Sequence, residues 1–404
     1  MPTPHSPPKP EFDESPLRKL YFTTTLLTAI KDNNSLRIQS IIEEDVDDEI
    51  DMNGNDSGLL QLAVLVGHYE TVKLLVEKGA GFGPEYPDVM LNSLRYERLE
   101  VVRLFIEKGY DPNDLTNDML DLLIRNFGEK SVELLDLFVS NGLDLDSKGR
   151  YLSLEAVMWN KLSVLKFLSE KGIDLISQLY VSDPPIREFM NYVSVPFLVA
   201  RKGLVQMLEY LVELGLDINH DNGIIVREAC NGNQLQILVM AHKLGANLYN
   251  LNQASMPSSM VYQNEGITRF LVGIESPIVN MKIALNYSFS KGNVPMIEFL
   301  VEKGAVLDEL QLRIRNAIGV GFLEVVSYLY RFGAILEGKD LIYAMDYHRI
   351  EIVKFYIGNG VFCDKILNEV LTIAKVGGND ELVEVLRSEG VYSYKLILPQ
   401  RIKN

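Results

Sequence analysis

The stretch "ETVKLLVEKGA", residues 70–80, decides the fold. It reads as a short amphipathic helix halted at Gly79, and it returns as "EVVRLFIEKGY" at 100–110, "SVLKFLSEKGI" at 163–173 and "PMIEFLVEKGA" at 295–305. A phrase that recurs in phase signals an array of small units rather than one globular core. Anchored on the glycine, copies fall at Gly79, Gly109, Gly142, Gly172, Gly215, Gly245, Gly304, Gly333, Gly360 and Gly390. The interval of 59 residues between Gly245 and Gly304 hides a further copy, "ITRFLVGIE", with Glu275 in the glycine slot. A degenerate first copy, "LRIQSIIEEDV", puts Val46 there. Twelve units of about 30 residues then cover residues 17–392.

The other columns keep the same phase. Positions five and four before the anchor are apolar in every unit, as in Leu74 and Leu75, Leu104 and Phe105, or Phe355 and Tyr356. With an apolar residue seven before the anchor they form one stripe of a helix, and the anchor supplies the left-handed residue that ends it. Twelve before the anchor, Gly or Asn recurs, as in Asn34, Gly67, Asn160, Gly203, Asn233 and Gly378, and closes a preceding helix. Sixteen before it, small residues such as Ala63, Ala156, Ala229 and Ala344 let two helices approach closely. Each unit is therefore helix, turn, helix, glycine and loop. One such hairpin cannot bury its own apolar face, so stability has to come from stacking neighbours. The expected fold class is all-α, a helical-hairpin solenoid. Gln39, Glu43 and Arg387 stand in usually apolar columns of the first and last copies, as capping units require.

These columns resemble the ankyrin repeat. "SGLLQLAVLVGHYETVKLLVEKGA" at 57–80 is the best copy, matching the family pattern at Leu60, Ala63, Gly67, His68, Val72, Leu74, Leu75, Gly79 and Ala80. The Thr-Pro-Leu-His box of that family is degraded here to Gly58-Leu59-Leu60-Gln61, and the shorter period implies shortened inter-unit hairpins. Short, box-poor repeats of this kind look like those of giant DNA viruses that infect amoebae. The resemblance implies an ankyrin-type solenoid of about twelve repeats. It also implies a non-catalytic adaptor that binds proteins through a concave face made by the first helices and loop tips.

Composition narrows the partners. A chain of 404 residues with 47% hydrophobic and 23% charged residues is not disordered throughout. Its net charge of −16 argues against nucleic acid or an anionic membrane as partner and suits a neutral-to-basic protein. Two distant cysteines, Cys230 and Cys363, make no disulfide framework and fit a reducing compartment. The leader "MPTPHSPPKPEFDE" lacks the apolar run of a signal peptide, and no stretch reaches the length of a membrane span. The expectation is a monomer in the cytoplasm or nucleus, in the host cytoplasm if the source is viral. Residues 1–16 hold six prolines and read as a disordered tail with two Pro-x-x-Pro spacings, from Pro4 to Pro7 and from Pro7 to Pro10. Residues 393–404 form a short C-terminal tail.

Catalytic chemistry is not written in the sequence. The five histidines at 5, 68, 220, 242 and 348 are scattered among units, without metal-ligand spacing. "DMNGNDSGLLQL" from Asp51 mimics only the first oxygen positions of a calcium loop, with Asp56 in the glycine position and Leu62 where the bidentate glutamate belongs, and reads as an inter-unit loop. "GVGFLE" at 319–324 lacks the third glycine of a dinucleotide fingerprint. No cofactor, metal or enzymatic activity is expected.

The functional signal is positional. Thirteen before the anchor, at the exposed end of each first helix, the sequence places Tyr96, Trp159, Tyr262 and Tyr347. Adjacent slots hold Arg95, Met158, Arg201, Lys202, Val261 and Asp346. Aromatic and arginine anchors on such a ledge are the residue types that dominate protein interfaces; the plainer alternative is that they pad the groove between units. Two further expectations concern alternative functions. The long loop at 176–192, or the proline-rich tail, would let an adaptor recruit a second factor for ubiquitin ligation or signalling. Self-association would instead make the chain a structural component of a particle.

Overall fold

The computed structural model describes residues 15–44, 50–176, 194–248, 263–360, 362–388 and 391. The described residues are helical, with no strand among them. The 1–16 tail lies outside them except for its last two residues, which open the first helix. The 176–192 loop lies outside except for Ile176, and residues 393–404 lie outside altogether.

The chain divides into two compact units. The first runs to residue 216 without 200–203; the second holds 200–203 and the chain from 217 onward. In the first, the helices pair as α1 (Ser15–Lys31) with α2 (Ser35–Glu44), α3 (Gly54–Val66) with α4 (Tyr69–Glu77), and α5 (Pro87–Arg95) with α6 (Leu99–Glu107). Then come α7 (Asn117–Asn126) with α8 (Lys130–Ser140), and α9 (Leu145–Met158) with α10 (Leu162–Glu170). The hairpin of α11 (Val195–Lys202) and α12 (Val205–Glu213) contains the division. The second unit has α13 (His220–Asn231) with α14 (Leu235–Lys243), α15 (Glu265–Gly273), and α16 (Met281–Lys291) with α17 (Val294–Glu302). It continues with α18 (Leu310–Val320) and α19 (Leu323–Arg331), α20 (Gly338–Asp346) and α21 (Ile350–Asn359), and α22 (Asp364–Val376) and α23 (Asp380–Ser388). Within each unit, first helices pack on first helices and second on second: α3 on α5, α5 on α7, α4 on α6, and likewise α18 on α20 and α19 on α21.

The sequence columns explain this packing. The residue four before the anchor is fully buried in Leu75, Phe105, Phe138, Leu168, Leu211, Ala241, Leu271, Leu300, Leu329, Tyr356 and Leu386. Each large one contributes about 1.5–3 kcal/mol by leaving water. The residue five before it is often only half-buried, as in Leu74, Phe270 and Phe299. The small column is buried at Ala63, Ser93, Ala156, Ala229, Ala317, Ala344 and Ala374. At Gly79 the backbone turns left-handed (φ +93°), and Ala80 N–H donates back to Leu75 C=O at 3.0 Å, closing the helix on its orphan carbonyls. Glu275 adopts the same conformation (φ +55°), with Ser276 N–H on Leu271 C=O at 2.9 Å. The hidden copy is thus a true repeat despite carrying a side chain at that position.

Two assignments need correction. In the first copy the left-handed residue is Asn33, not Asn34, and Ile41 rather than Ile42 is the buried one. That copy is therefore one residue out of register with the Val46 alignment. Gly360 is not left-handed (φ −103°): Phe362 folds over Tyr356, ring centroids 6.3 Å apart, and occupies the space beside it.

Two columns that were not read from the sequence hold the seams. In three repeats the residue eleven before the anchor caps the previous repeat's first helix. Arg98 donates to the carbonyls of Val64 and Leu65 at 3.2 and 2.9 Å, Gln234 to that of Arg201 at 3.2 Å, and Arg349 to that of Gly319 at 2.7 Å. In the fourth copy Asn126 does the same to Leu94 and Arg95 at 3.4 Å. These side chains satisfy carbonyls that a helix C-terminus leaves without partners. In the loops, an Asp-x-Asn turn repeats. Asn53, Asn113 and Asn219 each fold back on the aspartate two residues earlier (Asp51, Asp111 and Asp217). Each then bridges to the next loop: Asn113 donates to Gly142 C=O at 3.0 Å and accepts from Asp144 N–H at 2.9 Å. Asp51, the start of the calcium-like stretch, is thus part of a seam.

Candidate interaction surface

Three residues of the proposed ledge stand at the ends of first helices. Tyr96 caps α5 and is 45% exposed; Trp159 caps α9 and is 37% exposed; Tyr347 caps α20 and is 48% exposed. Val261 and Tyr262 lie outside the described residues. Arg95 ends α5 and is exposed, its guanidinium donating to Asn92 Oδ1 at 3.3 Å. Met158 is half-buried at the end of α9. Arg201 and Lys202 end α11, with Arg201 on Glu228 Oε2 at 3.4 Å; Asp346 is exposed at the end of α20.

The structure does not put Tyr96 beside Trp159. Helix α7 stands between them in the stack, and its own cap, Phe127, is buried. What α7 contributes is support. Asp121 Oδ1 accepts the Trp159 indole N–H at 2.6 Å, Glu155 Oε2 shares that proton at 3.1 Å, and the Arg125 guanidinium lies 5.1 Å from the ring centroid. Arg125 is itself 3.5 Å from Asp121. Behind them, burial and the Glu155 charge push the Tyr151 phenol pKa up, and its hydroxyl donates to Asn117 C=O at 3.1 Å. Trp159 is thus a fixed aromatic face with solvent access. In the second unit Tyr347 lies 4.6 Å from Tyr343, centroid to centroid, while Val320, 55% exposed, fills the equivalent place on α18.

The second unit also holds a groove the ledge reading missed, with a cavity volume of about 420 Å³ between α16 and α18. Phe289, Val320 and Phe322 are among its apolar lining, and Lys282, Asn286 and Arg313 among its polar lining. A signal existed: Leu312, Asn316 and Val320 fall four apart, one helical stripe facing away from the core stripe. Among the described residues no group of three His, Cys, Asp or Glu side chains is placed to hold a metal ion, and no helix is long and apolar enough to cross a membrane. The histidines have local surroundings: His242 packs edge-on to Phe270 at 5.7 Å, and His348 is the left-handed residue of its turn.

Paired helices closed by a left-handed residue, stacked first on first and second on second, define an ankyrin-type helical-hairpin fold. No family model matches the chain. Its relatives are nevertheless ankyrin-repeat proteins. It is 23% identical over 312 residues to the putative ankyrin repeat protein R578 of Acanthamoeba polyphaga mimivirus, covering 69% of each chain. It is 22% identical over 383 residues to the ankyrin repeat and KH domain-containing protein CBG24701 of Caenorhabditis briggsae, covering 83% of this chain and 14% of that protein. A solved human ASB11 ankyrin repeat domain is 19% identical, with a TM-score of 0.23, over 50% of this chain and 85% of its own. This kinship implies a protein–protein interaction scaffold in general terms.

Proposed function

We propose that the chain is a non-catalytic scaffold that holds a protein partner against the exposed ends of its first helices. The repeat array over residues 17–392 presents the surface, flanked by tails at 1–16 and 393–404. It works as a monomer inside the cell, the host cell if the source is viral, without nucleic acid or membrane. The observation that carries this reading is Trp159, fixed by Asp121, Glu155 and Arg125 yet open to solvent. An aromatic already held in place loses little side-chain entropy on binding, and few such anchors dominate interface energies. The test is a paired pull-down from cell lysate with the wild type and a variant changing Tyr96, Trp159, Tyr262 and Tyr347 to Ser, after circular dichroism shows equal folding. Specific loss of a partner from the variant is expected. Identical partners on both baits would reduce these rings to padding. Light scattering over a concentration series separates this scaffold from a self-associating particle component.

A further inference from the structure

The groove between α16 and α18 has a built chemistry of its own. Arg313 forms its inner wall and is only 8% exposed. Its Nε–H donates to Asp308 C=O at 2.7 Å, one Nη2–H to Asp308 Oδ1 at 2.8 Å, and one Nη1–H to Asn286 Oδ1 at 3.0 Å. A guanidinium carries five N–H groups, and these bonds use three of them, one on each nitrogen. Around it stand further donors, the Asn286 amide nitrogen and the Lys282 ammonium, the latter 3.7 Å from Asp308. Phe289 lies against the guanidinium at 4.6 Å, and Val320 and Phe322 add to the apolar lining. Leu312 and Val320 are more than half exposed on the groove's α18 side, as walls open to a passing chain would be. Glu309, at the start of α18, is the one lining group that works against an anion, since Asp308 is already engaged by Arg313.

We infer that this groove docks an extended segment of a partner protein in which a bulky apolar residue stands beside an acidic one, the carboxylate on Arg313 and the apolar side chain against Phe289, Val320 and Phe322. A carboxylate is the acceptor that the two further guanidinium N–H groups bind most strongly, and the ring stacked on that guanidinium offers the neighbouring apolar side chain a surface beside it. The inference rests on the reading of the chain as a protein scaffold but uses none of the Tyr96 or Trp159 surface.

The test uses the full chain and three capped dipeptides, acetyl-Phe-Asp-amide, acetyl-Phe-Asn-amide and acetyl-Phe-Lys-amide, read by saturation-transfer NMR at millimolar concentration. The Asp peptide is expected to bind about tenfold tighter than the Asn peptide, the step of one charge-assisted hydrogen bond, and the Lys peptide weakest. V320D, at an exposed position, is expected to retain the wild-type melting curve and lose the Asp peptide. E309Q is expected to bind it more tightly. Equal binding of the Asp and Asn peptides, preference for Lys, retention of the Asp peptide by V320D, or no binding at all overturns the inference. These readings use small probes and not partner capture, so a padded ledge and an idle groove give different results.

Discussion

A β-carbon on Gly67 would lie 2.6 Å from the guanidinium carbon of Arg98, one repeat later. Glycine is favoured there twice, by the left-handed backbone (φ +86°) and by the flexible end of the side chain that caps its helix, which a β-carbon would displace. Gly79 is left-handed too (φ +93°), but a β-carbon there would meet nothing.

Gly67→Ala and Gly79→Ala therefore separate the two demands. Gly79→Ala is expected to cost about 1 kcal/mol, the conformational penalty alone. Gly67→Ala is expected to cost about 1–2 kcal/mol more, because Arg98 must leave the Val64 and Leu65 carbonyls. Urea unfolding of both variants measures the difference.

Asp340 is buried (1% exposed) and accepts from Arg315 Nε at 2.7 Å and from Gln311 Nε2 at 3.1 Å, tying α18 to α20. Asp340→Ala is expected to destabilise by about 2 kcal/mol, since it strips two donors of their acceptor. Arg315→Ala is expected to cost more than Asp340→Ala, because it leaves the buried Asp340 carboxylate without its counter-charge, whereas the Arg315 left behind by Asp340→Ala is more than a third exposed and is rehydrated by water. Thermal melting of the two variants gives the order.

Asp308 carries a pH dependence. Its hydrogen bond from Arg313, helped by the Lys282 charge, holds its carboxyl below the usual range. The folded form then binds a proton less readily than the unfolded chain does. Its contribution is complete above the unfolded carboxyl value, about 4, and is lost as pH falls through the lower folded value. Asp308→Asn is expected to flatten the acid limb of stability below about pH 4, measured by denaturant midpoints at falling pH.

The two thiols should report folding. Cys363 is exposed, whereas Cys230 is buried and its pKa is pushed up to about 12 by burial and by Glu228. A maleimide is expected to label Cys363 alone in the native protein and both after unfolding. Mass spectrometry of intact protein counts the adducts; native labelling of Cys230 would show that the α13 hairpin opens readily.

Much of the hairpin plan was legible because its signals are local. The apolar pair, the small residue and the left-handed turn recur within one unit, so even Glu275 could be placed by phase. The seams were not legible, because a donor such as Arg98 and its acceptor Leu65 lie 33 residues apart and only stacking unites them. His348 shows the limit of residue type: it is left-handed at a turn where glycine or asparagine was sought. Phe362 explains why Gly360 departs from its column, a tertiary override no column could reveal. The ledge positions followed from phase, but the supports of Trp159 came from a different repeat. The Arg313 groove needed two first helices side by side before its spacing meant anything.

In the four caps described, the donor belongs to the later repeat and the carbonyls to the earlier one. That gives the stack a direction in time as well as in space. As the chain leaves the ribosome, α3 exposes the carbonyls of Val64 and Leu65 to water until Arg98 has emerged, about one repeat later. Each of these four hairpins is sealed by its successor, so there the growing end trails by one unfinished unit.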